Sequence, residues 1–185
     1  MTTTFPLTGE PLALDLLNTD TALGDLVADP SGLAAWLAEQ EGRLAPVGEV
    51  GEAEVAAVRG VREAARAAFD AVRAGERPPA GALAVLNGAL AAAPVHRELG
   101  WSEEAGPTAA ARRVGTPAGR LAAELAEAVA DLLTDPRVGK VRACEGEGCV
   151  LVFLPAHPRR RWCVASACGN RARVARYYAR HKGEA

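Results

Sequence analysis

Between residues 52 and 74 apolar positions recur every third or fourth residue, at Val55, Val58, Val61, Ala65, Ala68, Phe69 and Val72. That spacing lines one face of an α-helix, and Gly75 just past it supplies a C-terminal stop. Shorter runs repeat the pattern. Pro11 stands at a first helical position ahead of "LALDLLNTD", which predicts a short apolar helix ending near Asn18. Ser31 is an N-cap choice for a helix over residues 32–41 with Trp36 and Leu37 inward and Gly42 behind it. Prolines bracket a fourth helix in "PPAGALAVLNGALAAAP", and Thr116 with Pro117 starts a long fifth helix that Pro136 ends.

After Pro94 the helical period stops. "VHRELGW" and "PTAAARRVG" flank the turn-forming "SEEAG", which predicts a β-hairpin over 95–101 and 108–114. No repeat or low-complexity linker interrupts the chain. The first 136 residues therefore read as one mainly helical domain with a small sheet. They hold no recognisable catalytic set: His96 is a lone strand histidine, and Trp36 and Trp101 are core or interface residues before they are ligand-stacking ones.

Composition adds a boundary. A hydrophobic content of 49% suits an ordinary folded core, and the net charge of −2 hides a division. Residues 1–136 carry 10 Arg against 20 Asp and Glu, whereas residues 137–185 carry 11 Lys and Arg against Glu145, Glu147 and Glu184. The first part is thus at −10 and the second at +8, an asymmetry that points to a polyanionic partner for the second. The start shows no basic segment before an apolar run, and no stretch of 18 apolar residues occurs. The expectation is a soluble cytoplasmic protein with no membrane partner.

All four cysteines fall in the basic part: Cys144, Cys149, Cys163 and Cys168, spaced C-x4-C-x13-C-x4-C. Two close thiol pairs suit one tetrahedral zinc ion, and a closed set of four sulfurs makes that zinc structural, since no coordination position remains for water or substrate. Gly146 and Gly148 give the first pair a tight knuckle. "VLVF" reads as a strand, "LPAHPR" as a turn and "RRWC" as a returning strand, so knuckle, hairpin and terminal helix form a treble-clef-like module. The alternatives are four unrelated buried cysteines, a redox pair, or His157 in place of one ligand. The fold class is α+β: a helical domain over 1–136 and a zinc module over 137–185.

On a helical projection of residues 171–182, Arg173, Arg176 and Arg180 share one face, within about 60° of one another, while Val174, Tyr178 and the alanines occupy an arc expected to pack on the rest of the protein. A lone helix of this length is marginal, and metal at its first turn fixes its start. Arg159, Arg160 and Arg161 extend the cationic surface, with Trp162 beside them. Arginine forks bind phosphate and can read guanine edges from the major groove, so nucleic acid is the favoured partner, with DNA placed before RNA. The competing reading is a solvated face that pairs with the acidic domain. Arg171 lies apart from the stripe and is expected to bond a knuckle carbonyl or a ligand sulfur, with Asn170 as a further donor to the thiolates.

"RRWCVASACGNRARVARYYAR" resembles the CGNR zinc-finger family of bacterial proteins, with Cys168, Gly169, Asn170 and Arg171 as the signature, and "LALDLLNT" is similar to the opening of the helical ABATE domain that usually precedes it. In that family an Asp and a Ser or Thr often follow the hairpin's first strand, where this chain has Pro155, Ala156 and His157. The resemblance implies a stress-induced transcription regulator. Together with the four cysteines and the divided charge, it leads to the expectation of a non-enzymatic protein with one structural zinc, a DNA-binding module and a helical domain that senses a small-molecule effector or mediates assembly. The rival class is a zinc-containing adaptor that binds protein or structured RNA.

Overall fold

In the computed structural model, which describes residues 5–181, six helices and three small antiparallel sheets follow one another along the chain. The helical body consists of α1 (Leu12–Leu17), α2 (Pro30–Glu39), α3 (Glu52–Arg73), α4 (Ala80–Ala92) and α5 (Pro117–Thr134). A two-residue ribbon, β1 (Asp20–Thr21) with β2 (Gly24–Asp25), links α1 to α2. The ribbon β3 (Val95–Ser102) with β4 (Gly106–Arg113) links α4 to α5.

The periodic positions of α3 form the centre. Val55, Val58, Val61, Ala65, Ala68 and Phe69 are buried against Leu121, Leu125 and Val129 of α5, with Leu14, Leu16 and Leu17 of α1 and Trp36 of α2 in the same cluster. Each large side chain so enclosed contributes about 1.5–3 kcal/mol of apolar burial. Leu37 is only partly buried. The start of α2 also differs from the expected one. Asp29, not Ser31, caps it by accepting from the Gly32 amide at 2.8 Å, and Pro30 takes the first helical position. Asp offers a carboxylate to the same orphan amides, and proline fits the position where its missing N–H costs nothing.

Arg62, on the core side of α3, is buried and forks onto both Asp25 oxygens at 2.6 and 2.5 Å while a further bond reaches Thr19 Oγ1. It thereby ties the β1–β2 ribbon to the helix that carries it. No helix among the described residues is long and apolar enough to cross a membrane.

The remaining elements belong to the cysteine-rich part: β5 (Arg142–Ala143), β6 (Val152–Phe153), a wide π-type turn at Ala165–Gly169, and α6 (Asn170–His181) running on from it. Here "VLVF" does not pair with "RRWC". β6 pairs backwards with β5, so the first cysteine pair lies in the turn of that hairpin, and the returning segment is tied to it through Glu145 N, which donates to Arg161 O at 3.0 Å. The reason is visible on the far side of β6, where α1 already satisfies it.

Candidate metal centre

Asn18, at the end of α1, is 2% exposed and treats β6 as a strand would. Its side-chain nitrogen donates to Val152 O and its oxygen accepts from Val152 N, both at 2.9 Å. Val141 and Val152 enter the helical core beside it. One turn earlier, the buried Asp15 carboxylate accepts from the amides of Gly9 (2.9 Å) and Glu10 (3.1 Å) and from Arg43 (2.5 Å). That holds Glu10 where its carboxylate accepts from Leu154 N at 2.9 Å and pairs with Arg160 at 2.8 Å. Glu10, Asp15 and Asn18 are the residues sequence reasoning missed. "LALDLLNT" reads there as an apolar helix, and nothing local signals that its Asn18 binds a strand 134 positions away.

On this mount sit the four cysteines, all with free thiols and sulfurs within 4.8 Å of one another. The Sγ atoms of Cys149 and Cys163 are 3.8 Å apart, and those of Cys163 and Cys168 3.6 Å. A tetrahedron with metal–sulfur bonds of about 2.3 Å has edges of about 3.8 Å, whereas a disulfide needs about 2.05 Å. The four cysteines therefore fit one structural zinc ion. The metal-capable group among the described residues contains no histidine; His157 lies exposed in the turn, where its Nδ1 accepts from Arg159 N at 3.1 Å.

The surroundings supply what four crowded sulfurs need. Burial, then the neighbouring thiols, pushes Cys163 well above the ordinary thiol range, and burial raises Cys149 in the same way. Such thiols give up protons together only to a cation. Cys168 differs: burial raises it, but hydrogen bonds from Arg171 and the other thiols outweigh that and bring it below the usual value. Arg171 Nη2 lies 3.0 Å from Cys168 Sγ. Against a zinc tetrathiolate, whose formal charge is −2, that guanidinium is a neutralising partner, and the N-terminus of α6 adds its dipole. The amides of Gly146 (3.4 Å) and Cys163 (3.3 Å) donate to Cys144 Sγ. Asn170 makes its bond elsewhere, accepting from Arg173 at 2.6 Å.

The two knuckle glycines act differently. Gly148 has φ +69°, a conformation that other residues adopt only at a cost, while a methyl group on Gly146 would sit 2.9 Å from Cys168 Cβ and 3.0 Å from its sulfur. The module's own apolar core is small: Leu151 and Phe153 with the cysteines, and Leu7, Trp162 and Val164 around them.

The six sequence-predicted nucleic-acid arginines separate. Arg160 turns inward, stacking over Phe153 at 4.3 Å, bonding the carbonyls of Trp162 and Cys163, and pairing with Glu10. Arg161 is exposed but pairs with Glu145, whose carboxyl it holds below the usual range. Arg159 is exposed. Arg173, Arg176 and Arg180 are exposed along α6, and no carboxylate pairs with any of them among the described residues. Arg176 lies 6.0 Å from the partly buried Trp162 ring, which covers Gly169. The apolar arc of α6 does not pack as expected: Val174 is 52% and Tyr178 67% exposed, and the helix has no buried residue. Its arc is too small to hold it down, and only its first turn is fixed.

A helical domain with a structural zinc finger mounted on it is the class these features define. The chain belongs to the ABATE family, whose description reads "Putative stress-induced transcription regulator" and whose model matches residues 10–136, and residues 140–181 match the CGNR zinc finger. Among curated proteins no match to the chain is found.

Proposed function

We propose that this chain is a non-enzymatic cytoplasmic regulator that binds duplex DNA through Arg173, Arg176 and Arg180 of α6, with Arg159 and Arg161 at the edge of the surface and the helical domain sensing a ligand or mediating assembly. The observation that carries it is the openness of α6: its basic face has no carboxylate partner among the described residues, whereas Arg160 and Arg171, bonded to Glu10 and Cys168, build the mount, and Arg161 at the edge pairs with Glu145. The zinc is a fastener in this reading. Its four sulfurs fix the start of α6, and the side chains beyond do the binding.

Fluorescence anisotropy of a labelled duplex, titrated with zinc-loaded protein at several salt concentrations, tests it. The expected plot of log affinity against log salt is linear, and Gln at positions 173, 176 and 180 flattens it by up to about 0.9 for each phosphate no longer neutralised. Binding that ignores salt overturns the proposal. The exposed Tyr178 and the Tyr177–His181 stack at 4.2 Å favour a second reading, structured RNA, because unpaired bases stack on such rings. Stronger competition by RNA than by duplex DNA would select it.

A further inference from the structure

The ribbon β3–β4 is poorly explained by a monomer. Eight cross-strand pairs run from Val95 opposite Arg113 to Ser102 opposite Gly106, yet neither strand has a buried residue and no third strand joins them among the described residues. Two-stranded ribbons are marginally stable in water unless something covers a face. Alternation sorts this one into two faces. On the odd-numbered side Leu99 stands opposite Ala109 and Trp101 opposite Pro107, with Val95 and Ala111 nearby, and Leu99 is 84% and Trp101 71% exposed. The even-numbered side is polar, carrying His96, Thr108 and the Glu98–Arg112 pair at 3.0 Å.

Charge is also sorted lengthwise. On the odd-numbered face Arg97 lies toward the root, with Arg113 beside it already paired with Glu127 of α5, and Glu103 and Glu104 lie at the tip. A ribbon that is basic at one end and acidic at the other complements a copy of itself laid in the opposite direction.

We propose that this ribbon joins two copies of the chain, odd-numbered face to odd-numbered face, with the ribbons antiparallel about a two-fold axis. Each acidic tip then meets the partner's basic root, and the apolar strips cover each other. Pairing by strand edges alone would leave Leu99 and Trp101 in water. An eight-residue strand is about 27 Å long. A face of that length carrying one Trp, one Leu and four smaller apolar residues buries on the order of 500 Å² per copy, or about 1,000 Å² in all, the lower bound for a specific interface. The arrangement gives substance to the assembly role assigned above to the helical domain, but it does not depend on what α6 binds, and its test contains no nucleic acid.

Sedimentation equilibrium of the zinc-loaded chain, from low micromolar to several hundred micromolar, is the experiment. A concentration-dependent dimer is expected. The double variant L99E/W101E should raise the dissociation constant at least about 100-fold while far-UV circular dichroism and zinc content stay unchanged, because these two side chains belong to neither core. Reversing the tip with E103R/E104R should weaken the dimer about tenfold, and adding R97E should restore it. A monomer throughout, with Trp101 open to acrylamide quenching, overturns the proposal and leaves the face to a different partner. A dimer indifferent to L99E/W101E overturns it as well, and a tip reversal that the root reversal does not rescue refutes the antiparallel arrangement.

Discussion

The helical body and the cysteine-rich module are held together by different forces. In the body, some twenty buried residues spread over five helices share one apolar cluster, so each change is felt locally and partly compensated. In the module's own cluster, Leu151 and Phe153 are the buried apolar side chains besides the cysteines, far short of what a chain of about 40 residues needs to fold without a metal or disulfide. The lesson is that the body responds to packing and the module to thiol chemistry, and that the two meet through Val141 and Val152, which enter the body's core, and through the polar bonds of Glu10 and Asn18 on either side of α1.

The largest expected effect breaks the module alone. Cys163→Ser removes one zinc ligand from a site whose metal contributes on the order of 10 kcal/mol or more to folding. Elemental analysis should find zinc gone, and the helicity of α6 should vanish while that of α1–α5 persists. Phe69→Ala tests the other side: a cavity beneath α3 should cost about 3–5 kcal/mol in denaturant unfolding and leave one zinc per chain. Asn18→Leu attacks the joint. It orphans the buried N–H and C=O of Val152 at about 1–3 kcal/mol each, and should split one unfolding transition into two by calorimetry.

A smaller effect is set by pH. Arg62 holds the Asp25 carboxyl below its ordinary value of 3.8, so this pair stabilises the fold above that pH, and the contribution is lost as pH falls through the lower folded value. Arg62→Met should flatten the acid limb of stability in the body without altering metal content. Smallest of all, Gln at positions 173, 176 and 180 should change thermal stability by less than about 0.5 kcal/mol, since these side chains are exposed and have no carboxylate partner among the described residues.

Much of this division was legible in the sequence, and the parts that were not share a cause. The period of α3, the Thr116 cap, the hairpin and the C-x4-C pairs depend on neighbours a few residues away, and those the chain displays directly. The bonds on the far side of β6, the pairing of Arg160 with Glu10 and the role of Asn18 depend on residues more than 130 positions apart. A run of three arginines gives no sign that the middle one belongs to Glu10. Exposure of α6 was equally hidden, because an amphipathic pattern shows that a helix could pack and not whether a surface exists to receive it.

Amide hydrogen exchange over residues 144–181, followed while metal-free reduced protein takes up one equivalent of zinc, tests most directly whether the thiol cluster mounts the arginine helix. The expected result is that the amides of Gly146 and Cys163 and the whole of α6 slow together as the metal binds, with amides of α3 and α5 unchanged. If α6 exchanges at the same rate with and without zinc, the helix does not owe its place to the metal.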